Sequence, residues 1–371
     1  MQIENGLGGL THSEKLSWLQ LARTPRIGPV TFFQLLARYG NASDALKALP
    51  KLKAGDVSQR VAGRAGIEKE WQQTTALGAR ILCAAEADYP PLLKQHPPPP
   101  PILTALGRTE LLQRRCVAIV GARQASAAGR KLARDISADL SDAGYVIVSG
   151  LARGIDGEAH AASLSGGTIA ALAGGIDHIY PPQHERLYRE IQKQGLLISE
   201  SPLGHRATAR DFPRRNRIIT GICEGVVIIE AAERSGSLIS ARTALEQNRE
   251  VMAVPGSPLE PRAAGGNRLL REGAILVRNA QDVMEALSGP RLHAMKAPER
   301  PDYAGQPNEH ADIPATQIDA VRSALTPEPL PISEIAQTAG LGIPRCAAIL
   351  VELELSGHAV TYSGGRASLA F

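Results

Sequence analysis

From residue 116 onward, short apolar runs rich in β-branched residues alternate with longer stretches of helical periodicity. Runs that are apolar at every position are typical of strands buried on both faces, and their alternation with helices is typical of a parallel sheet. The predicted strands are Val117–Val120, Tyr145–Ser149, Thr168–Leu172, Leu196–Ser199, Val226–Glu230, Val251–Val254 and Ile275–Val277. The pattern therefore predicts an α/β core with helices on both faces of the sheet.

The first part of the chain has a helical pattern instead. Apolar residues between Ser13 and Ala48 are spaced for the buried faces of short helices, which predicts a small helical domain. Residues 26–29 form a turn that is similar to the hairpin of helix-hairpin-helix DNA modules, and a plain turn between packed helices is the other interpretation. Pro97–Pro101 cannot continue a helix and predicts an extended segment that leads into the core.

The last part of the chain predicts a linker and a winged-helix domain. Leu287 to Thr316 is rich in Pro, Gly and charge and has no apolar period, which is typical of a flexible linker that lets the tail move independently. A helix, a turn and a second helix follow between Ile332 and Ser356, and His358–Leu369 supplies two short strands. The predicted domains are a helical domain at 1–85, the core at 86–290, a linker at 291–314 and a winged-helix domain at 315–371.

The composition of the chain indicates where the protein is located and which cofactors it lacks. No apolar run reaches the roughly 20 residues that a membrane helix needs, and the amino terminus lacks a signal-peptide pattern, so we expect a cytoplasmic protein without membrane contact. The 4 cysteines lie far apart and form no CxxC pair, so we expect reduced thiols, no disulfide and no metal site. A net charge of +4 is compatible with a polyanionic partner, as it is in many proteins without one.

A glycine loop follows the first predicted strand of the core. Gly121 and Arg123 follow that strand, and Ser126 and Gly129 precede a helix, a layout in which backbone amides and a guanidinium can hold a phosphate. An ordinary strand-to-helix turn is the other interpretation. The spacing matches neither the dinucleotide GxGxxG pattern nor the P-loop, so we expect no nucleotide cofactor.

A second glycine loop, with Gly150 and Gly154, follows the next strand. It is expected beside the first at the carboxyl edge of the sheet, where open α/β sheets bind ligands. Asp156 in this loop either caps the following helix, which we favour, or acts as a catalytic base.

A basic segment with one aromatic residue gives the clearest indication of a nucleic acid. Arginines neutralise phosphates, and Phe212 offers a platform on which a base can stack. A solvated basic helix start is the other interpretation. The candidate contacts in this segment are Arg210, Phe212, Arg214, Arg215, Asn216 and Arg217.

A further loop, with Gly236 and Ser237, follows another strand and opens onto a helix. With the three segments above, it is expected to complete one extended anion-binding groove at the carboxyl edge of the sheet. Because aromatic residues make up only 4% of the chain, we expect contacts mainly to phosphates.

Taken in chain order, these segments resemble the DprA/Smf family. The matching motifs are Gly121–Arg123 with Ser126 and Gly129, Ser149-Gly150 with Arg153–Asp156, Phe212–Ile219 and Ser235–Ile239. The resemblance implies an extended Rossmann-like sheet core between a small helical domain and a winged-helix domain. It also implies a homodimer without catalytic activity that binds single-stranded DNA, acts with single-strand-binding protein and loads the recombinase RecA during natural transformation.

The same resemblance assigns DNA contacts to individual residues. In the family, the arginine of the first glycine loop and the Phe-Pro-x-Arg-Asn-Arg segment contact DNA, so the roles carry over to Arg123, Phe212, Arg215 and Arg217. Ala122 and Ala128 depart from the family, which usually has serine and commonly tyrosine at these positions.

Two other functions fit parts of the sequence. A Rossmann-type nucleotide phosphoribohydrolase would need a catalytic glutamate where Ser240 stands, and a hydroxyl cannot replace a carboxylate in acid-base work. A regulator that reads duplex DNA would use the second tail helix, whose Glu352 and Glu354 disfavour phosphate contacts. We therefore favour a protein-interaction role for the tail.

Overall fold

Nine strands form one sheet in the computed structural model, which describes residues 9–51, 61–96, 98–288, 313–362 and 365–370. In chain order they are β1 (Arg80–Cys83), β2 (Ile102–Gly107), β3 (Cys116–Gly121), β4 (Val146–Ser149), β5 (Thr168–Leu172), β6 (Leu196–Ser199), β7 (Gly225–Ile229), β8 (Glu250–Ala253) and β9 (Ile275–Leu276). Their spatial order is β1-β2-β6-β5-β4-β3-β7-β8-β9. Neighbours from β6 to β9 run parallel, whereas β2 runs antiparallel to β6.

The predicted α/β core is thus confirmed, with two additions. The sequence pattern missed β1 and β2, and β1 belongs to the sheet although it precedes the expected domain boundary at residue 85. Pro97 lies outside the described residues, and the remainder of the proline segment leads directly into β2.

Fifteen helices accompany these strands among the described residues. They are α1 (His12–Arg23), α2 (Pro29–Tyr39), α3 (Ala42–Ala48), α4 (Arg64–Ala76), α5 (Pro91–Lys94), α6 (Ala127–Asp142), α7 (Ile155–Ala162), α8 (Glu185–Gln194), α9 (Asp211–Ile222), α10 (Gly236–Glu246), α11 (Ala264–Arg271), α12 (Ala280–Ser288), α13 (Ala315–Ala324), α14 (Ile332–Thr338) and α15 (Ile343–Leu355).

The central strands are buried on both faces, which explains their uninterrupted apolar runs. On one face α6, α7 and α12 pack against β3, β4 and β7 through residues such as Val117, Ile136 and Val227. On the other face α9 and α10 pack together against β3 and β7, and Ile218 and Ile219 of α9 are buried there. Helices on both faces leave the carboxyl edge of the strands as the open side of the sheet.

The described residues fall into two units. Residues of 72–96 and 103–293 form the core unit with the large sheet, and residues of 1–71, 97–102 and 294–371 form the terminal unit. In the terminal unit, the side chain of Thr11 caps α1 and the Glu14 carboxylate accepts from the Thr11 amide at 2.7 Å. Trp18, Phe32 and Phe33 form an edge-on aromatic cluster among α1 and α2, so the predicted helical domain is present.

The tail forms the predicted winged helix. Helices α13 to α15 pack with a three-stranded sheet of β10 (Leu330–Pro331), β11 (Ala359–Tyr362) and β12 (Arg366–Leu369), in which β12 pairs antiparallel with both neighbours. Of the expected linker at 291–314, all but the last two residues lie outside the described residues.

The winged helix packs against the amino-terminal helices within the terminal unit. The Thr31 hydroxyl of α2 donates to the Glu354 carboxylate of α15, which also accepts from the Thr361 amide of β11 at 3.0 Å. Arg38 of α2 lies 3.5 Å from Glu352 of α15. These contacts differ from the expectation that the tail moves independently. No helix among the described residues is long and apolar enough to cross a membrane.

Candidate nucleic-acid interface

Loops from three strands and the start of α9 meet around one small cavity of about 230 Å³. The Arg123 guanidinium carbon, after β3, lies 5.2 Å from the ring centroid of Phe212 on α9, within the usual range of a cation–π contact. Tyr180, which follows β5, lies 5.9 Å from Phe212 between ring centroids. We call this space the aromatic cavity, and its lining is Arg123, Gly150, Leu151, Ala152, Arg153, Tyr180, Pro181, Pro182, Gln183 and Phe212.

The structure therefore brings Arg123, Gly150 and Phe212 together as predicted. Arg123 is exposed, and Phe212 is partly exposed. Tyr180 was missed by sequence reasoning, although an aromatic residue followed by two prolines after a core strand was a usable signal. An exposed cation and two aromatic rings around one small space can hold a base and its phosphate.

Close backbone approach explains the glycines of the first two loops. A Cβ on Gly121 would lie 1.8 Å from the Ile229 carbonyl oxygen, and one on Gly154 would lie 2.2 Å from that of Ala122. Gly154 also has φ +77°, a conformation that side chains disfavour. Gly121 lets the end of β3 approach β7, and Gly154 lets the loops after β3 and β4 pack together, which positions Arg123 beside the second loop.

The phosphate cradle expected at the start of α6 is occupied by a side chain of the protein. The Glu230 carboxylate accepts from the Ser126 amide at 2.9 Å and from the Ser126 hydroxyl, and that hydroxyl accepts from the Gly129 amide at 2.9 Å. A Cβ on Gly129 would lie 2.6 Å from the Glu230 carboxylate carbon, so glycine lets Glu230 approach the helix start in this position. The helix start does attract an anion, but Glu230 supplies it, and the geometry gives Ser126 no free donor for DNA.

Arg215 is buried, contrary to the DNA-contact role expected for it. Its side chain is 6% exposed, and its guanidinium donates to the carbonyl oxygens of Gly150 and Ala171 at 2.6 Å each. Burial lowers the pKa of Arg215 to about 10, and the Asp156 carboxylate opposes this shift. The guanidinium lies 5.9 Å from the Phe212 ring, so Arg215 supports the floor of the aromatic cavity from inside the protein.

Asp156 is the buried partner of Arg215. Its carboxylate accepts from the amides of Gly150 at 3.1 Å and Ala152 at 3.4 Å, and so it holds the second glycine loop. Burial raises the pKa of Asp156, and the Arg215 guanidinium with these two amides partly offsets the rise. The expected capping role is wrong, because α7 begins at Ile155 with Gly154 as its N-cap, and Asp156, the second residue of the helix, accepts from loop amides that precede the helix.

Arg214 and Arg217 share one carboxylate. Glu200, whose side chain is 10% exposed, accepts from Arg214 at 2.9 Å and from Arg217 at 2.7 Å. Burial alone would raise the pKa of Glu200, but the Arg217 and Arg214 guanidiniums outweigh it and hold the pKa below its usual range. Arg217 is 24% exposed and Arg214 is 56% exposed, so part of the charge in the basic segment is already neutralised.

The other predicted residues lie outside the lining of the aromatic cavity. Arg210 is exposed at the residue before α9, and the Asn216 side chain accepts from Arg215 at 3.3 Å. Gly236 begins α10, where the Ser237 amide donates to Ser235 at 3.3 Å. The structure therefore places the fourth loop beside the first three at the sheet edge without joining it to this cavity.

No described residues form a cluster of three or more His, Cys, Asp or Glu side chains that could hold a metal ion. The four cysteines, which are all among the described residues, are buried. Burial raises the pKa of the Cys116 thiol to about 12, which makes it a core residue rather than a reactive thiolate.

Comparison with protein families assigns the three parts of the chain consistently. Residues 80–288 match the family described as DNA recombination-mediator protein A. Residues 12–72 match a DprA-like N-terminal HHH domain, and residues 305–365 match a DprA winged helix domain.

Individual relatives agree with the family match. Protein Smf of Escherichia coli is 39% identical over 284 residues, which cover 76% of this chain and 75% of that protein. The structure of DNA processing protein A from Streptococcus pneumoniae is 32% identical with a TM-score of 0.62 and covers 75% of this chain and 98% of that one. The structure of DNA processing protein A from Helicobacter pylori, described for its single-stranded DNA binding mode, is 30% identical with a TM-score of 0.52 and covers 56% of this chain and 95% of that one. The chain therefore belongs to the DNA recombination-mediator protein A family, the DprA/Smf family of DNA-processing proteins.

Proposed function

We propose that this protein binds single-stranded DNA by taking a base into the aromatic cavity and a neighbouring phosphate onto Arg123. The observation that carries the proposal is the meeting of Arg123, Phe212 and Tyr180 around one space of about 230 Å³. Stacking of a base on an aromatic ring contributes about 1–3 kcal/mol and tolerates any base, because every base has a π face. The binding should therefore be largely independent of sequence.

The shape of the site favours single strands over duplexes. A base can reach Phe212 and Tyr180 only if it leaves its neighbours, which costs a few kcal/mol in a duplex and much less in a single strand. The relative from Helicobacter pylori is itself described as a single-stranded DNA binder. Both points support the same choice of ligand.

We propose that binding, and not catalysis, is the role of this site. The described lining of the aromatic cavity offers guanidinium, phenol and amide groups and no carboxylate, imidazole or thiol that could act as general acid or base. For the phosphoribohydrolase alternative, Ser240 is buried on α10, and Asp156 is committed to the loop amides. Release of ribose 5-phosphate from nucleoside monophosphates would contradict this part of the proposal.

The tail gives little support to a regulator that reads duplex DNA. The helix α15 would be the one to enter a major groove, and its Glu352 and Glu354 face Arg38 and Thr31 of α2. The acidic residues that disfavour DNA thus have a structural partner within the terminal unit. We propose protein contact as the use of this helix.

Self-association is also proposed. The edge strand β9 carries Ile275 and Leu276 with side chains that are 37% and 49% exposed, and an exposed apolar strand at the edge of a sheet can pair with a second copy. A homodimer is what family membership implies. Light scattering at tens of micromolar should give twice the monomer mass, and a monomer with and without DNA would contradict the dimer.

RecA and single-strand-binding protein are the proposed partners in the cell, on the strength of family membership. The protein should help RecA assemble on DNA that single-strand-binding protein already covers, as in natural transformation. RecA filament formation that stays unchanged across a wide range of added protein would contradict this role.

Competition between matched single-stranded and duplex oligonucleotides tests the proposed function. Fluorescence anisotropy should show tighter binding of the single strand, and Arg123→Ala should weaken it. Arg242→Ala is a suitable control because Arg242 is 84% exposed on α10, pairs with Glu246 and does not line the aromatic cavity. Equal affinity for duplex and single strand would argue against the proposal.

A further inference from the structure

A second cavity of about 640 Å³ adjoins the aromatic cavity. The two cavities share Arg123, Arg153 and Gln183, so any chain that leaves one can enter the other. The described lining of the second cavity contains no aromatic ring of Phe, Tyr or Trp and instead includes Arg130 and Arg262. We call it the arginine cavity. The two spaces differ in chemistry, since one offers stacking and the other offers charge.

The cations of the arginine cavity come from separate elements. Arg130 lies on α6, Arg153 lies in the loop after β4, and Arg262 lies before α11. Arg130 and Arg153 are exposed, and within the described residues neither forms an ion pair. Arg262 is paired with Glu260 at 2.9 Å. Two uncompensated guanidiniums converge on this space, and such an arrangement attracts phosphate groups.

One carboxylate also lines the arginine cavity, but it has its own cation. Glu158 accepts from Arg134 of α6 at 2.8 Å. This pair reduces the repulsion between Glu158 and an incoming phosphate. The cavity therefore remains favourable for an anion. Replacing Glu158 by an uncharged residue should make the binding of a phosphate tighter still.

His184 is a fixed part of the lining of the arginine cavity. A Cβ on Gly157 would lie 2.6 Å from the His184 ring, so the absence of a side chain there lets the ring sit against α7. The Nδ1 atom of His184 lies 3.0 Å from the Leu151 carbonyl oxygen, and since a carbonyl only accepts, Nδ1 donates. This contact fixes the ring beside Gln183, which lines both cavities.

We propose that the arginine cavity binds the backbone phosphates of the same DNA strand whose base occupies the aromatic cavity. This inference rests on the proposed function and extends it with new contact residues, chiefly Arg130. The aromatic cavity holds a base, Arg123 and Arg153 hold phosphates at the junction, and Arg130 holds a phosphate farther along the strand. A strand must then exceed a minimum length before Arg130 contributes.

Strand length provides the test. Thymidine strands of about 4 and about 16 nucleotides span the site sizes typical of single-strand binding surfaces. For the long strand, Arg130→Ala should weaken binding about tenfold and flatten the slope of log affinity against log salt by about 0.7, the value for one phosphate contact. For the short strand, both quantities should match the wild type.

Two further variants make the test specific. Lys131→Ala removes one positive charge from the same helix, at an exposed residue that pairs with Asp135 and does not line the cavity. The affinity for either strand should therefore stay at the wild-type value. Glu158→Gln should bind the long strand more tightly than the wild type does, a gain that misfolding cannot produce.

The outcomes separate this inference from the proposed function. A loss in Arg130→Ala that is equal for both lengths, or absent for the long strand, overturns the inference while the proposed function stands. Wild-type protein that binds neither strand overturns the proposed function, and the inference with it. A length-dependent loss in Arg130→Ala together with a gain in Glu158→Gln supports the arginine cavity as the continuation of the strand.

Discussion

The arginines around the two cavities and the arginines at the start of α9 differ in what already neutralises them. Arg123 lies over the face of Phe212 and forms no ion pair with any described residue, whereas Arg214 and Arg217 share Glu200 and Arg215 donates to two carbonyl oxygens. In the sequence, the second group is the denser run of positive charge. The difference shows that the density of a basic run does not locate a binding surface, because buried arginines also hold loops together.

The two groups of arginines also differ in their structural roles. Arg215 and Asp156 together fix the second glycine loop, and Phe212 rests beside Arg215. Arg123 reaches into solvent from a loop that those contacts position. Arg215 of α9 thus supports the site from inside the protein, and Arg123 is the proposed ligand contact.

The largest effect is expected from Arg215→Ala, on stability. Without Arg215, the buried carbonyl oxygens of Gly150 and Ala171 lose a donor and the buried Asp156 loses a nearby positive charge, and each buried group left unsatisfied typically costs about 1–3 kcal/mol. Urea denaturation followed by circular dichroism should show this loss in the free energy of unfolding. Arg210→Ala, at an exposed position five residues earlier, is the matched control, and equal stability of the two variants would contradict the structural role of Arg215.

The next largest effect is expected from Arg123→Ala, on affinity. Loss of a charge-assisted contact costs roughly 1.5–3 kcal/mol, about ten- to a hundredfold in affinity, and the salt slope should flatten by about 0.7. Arg123→Lys should restore only part, because lysine lacks the planar fork. Thermal unfolding should match the wild type, since Arg123 is exposed. Full affinity in Arg123→Ala would place the strand elsewhere.

Phe212→Ala should weaken binding in a different way. A lost stacking contact costs about 1–3 kcal/mol, but no phosphate is released, so the salt slope should stay close to the wild-type value. Tyr180→Ala should behave similarly, and its loss of affinity should be smaller than that of a variant in which both Phe212 and Tyr180 are replaced by Ala. A flattened slope in Phe212→Ala would mean that the ring acts through Arg123 rather than through a base.

The smallest effect on affinity is expected from Arg217→Ala. Its guanidinium is already paired with Glu200 and is 24% exposed, so binding of single strands should change by less than about 1 kcal/mol. Anisotropy titrations at several salt concentrations should leave the slope unchanged. A loss as large as that of Arg123→Ala would show that Arg217 leaves Glu200 to bind DNA, and the two regions would no longer differ.

Much of the fold could be predicted from the sequence, because it depends on local patterns. Every parallel strand of the core gave a continuous apolar run, and the tail helices showed their apolar faces. The strands β1 and β2 were missed because they precede the regular alternation of strands and helices, and the antiparallel pairing of β2 with β6 is set by tertiary contacts.

The site was predicted only in part, since its members depend on pairing that a sequence does not show. Arg123 and Phe212 were predicted and do meet, and Tyr180 was missed. The assignment of Ser126 failed because Glu230, far along the chain, occupies the start of α6. The docking of α15 on α2 was likewise missed, as the acidic residues of α15 gave no indication of a partner.

Photocrosslinking of a single strand that carries iodouracil tests the central claim most directly. Irradiation of the full-length protein with this strand, followed by mass spectrometry of the peptides, reports which side chains contact a base. The account predicts adducts on Phe212 or Tyr180, and their loss when an unlabelled single strand competes. Adducts confined to the tail or to Trp18 and Trp71 of the terminal unit, with none on Phe212 or Tyr180, would contradict it.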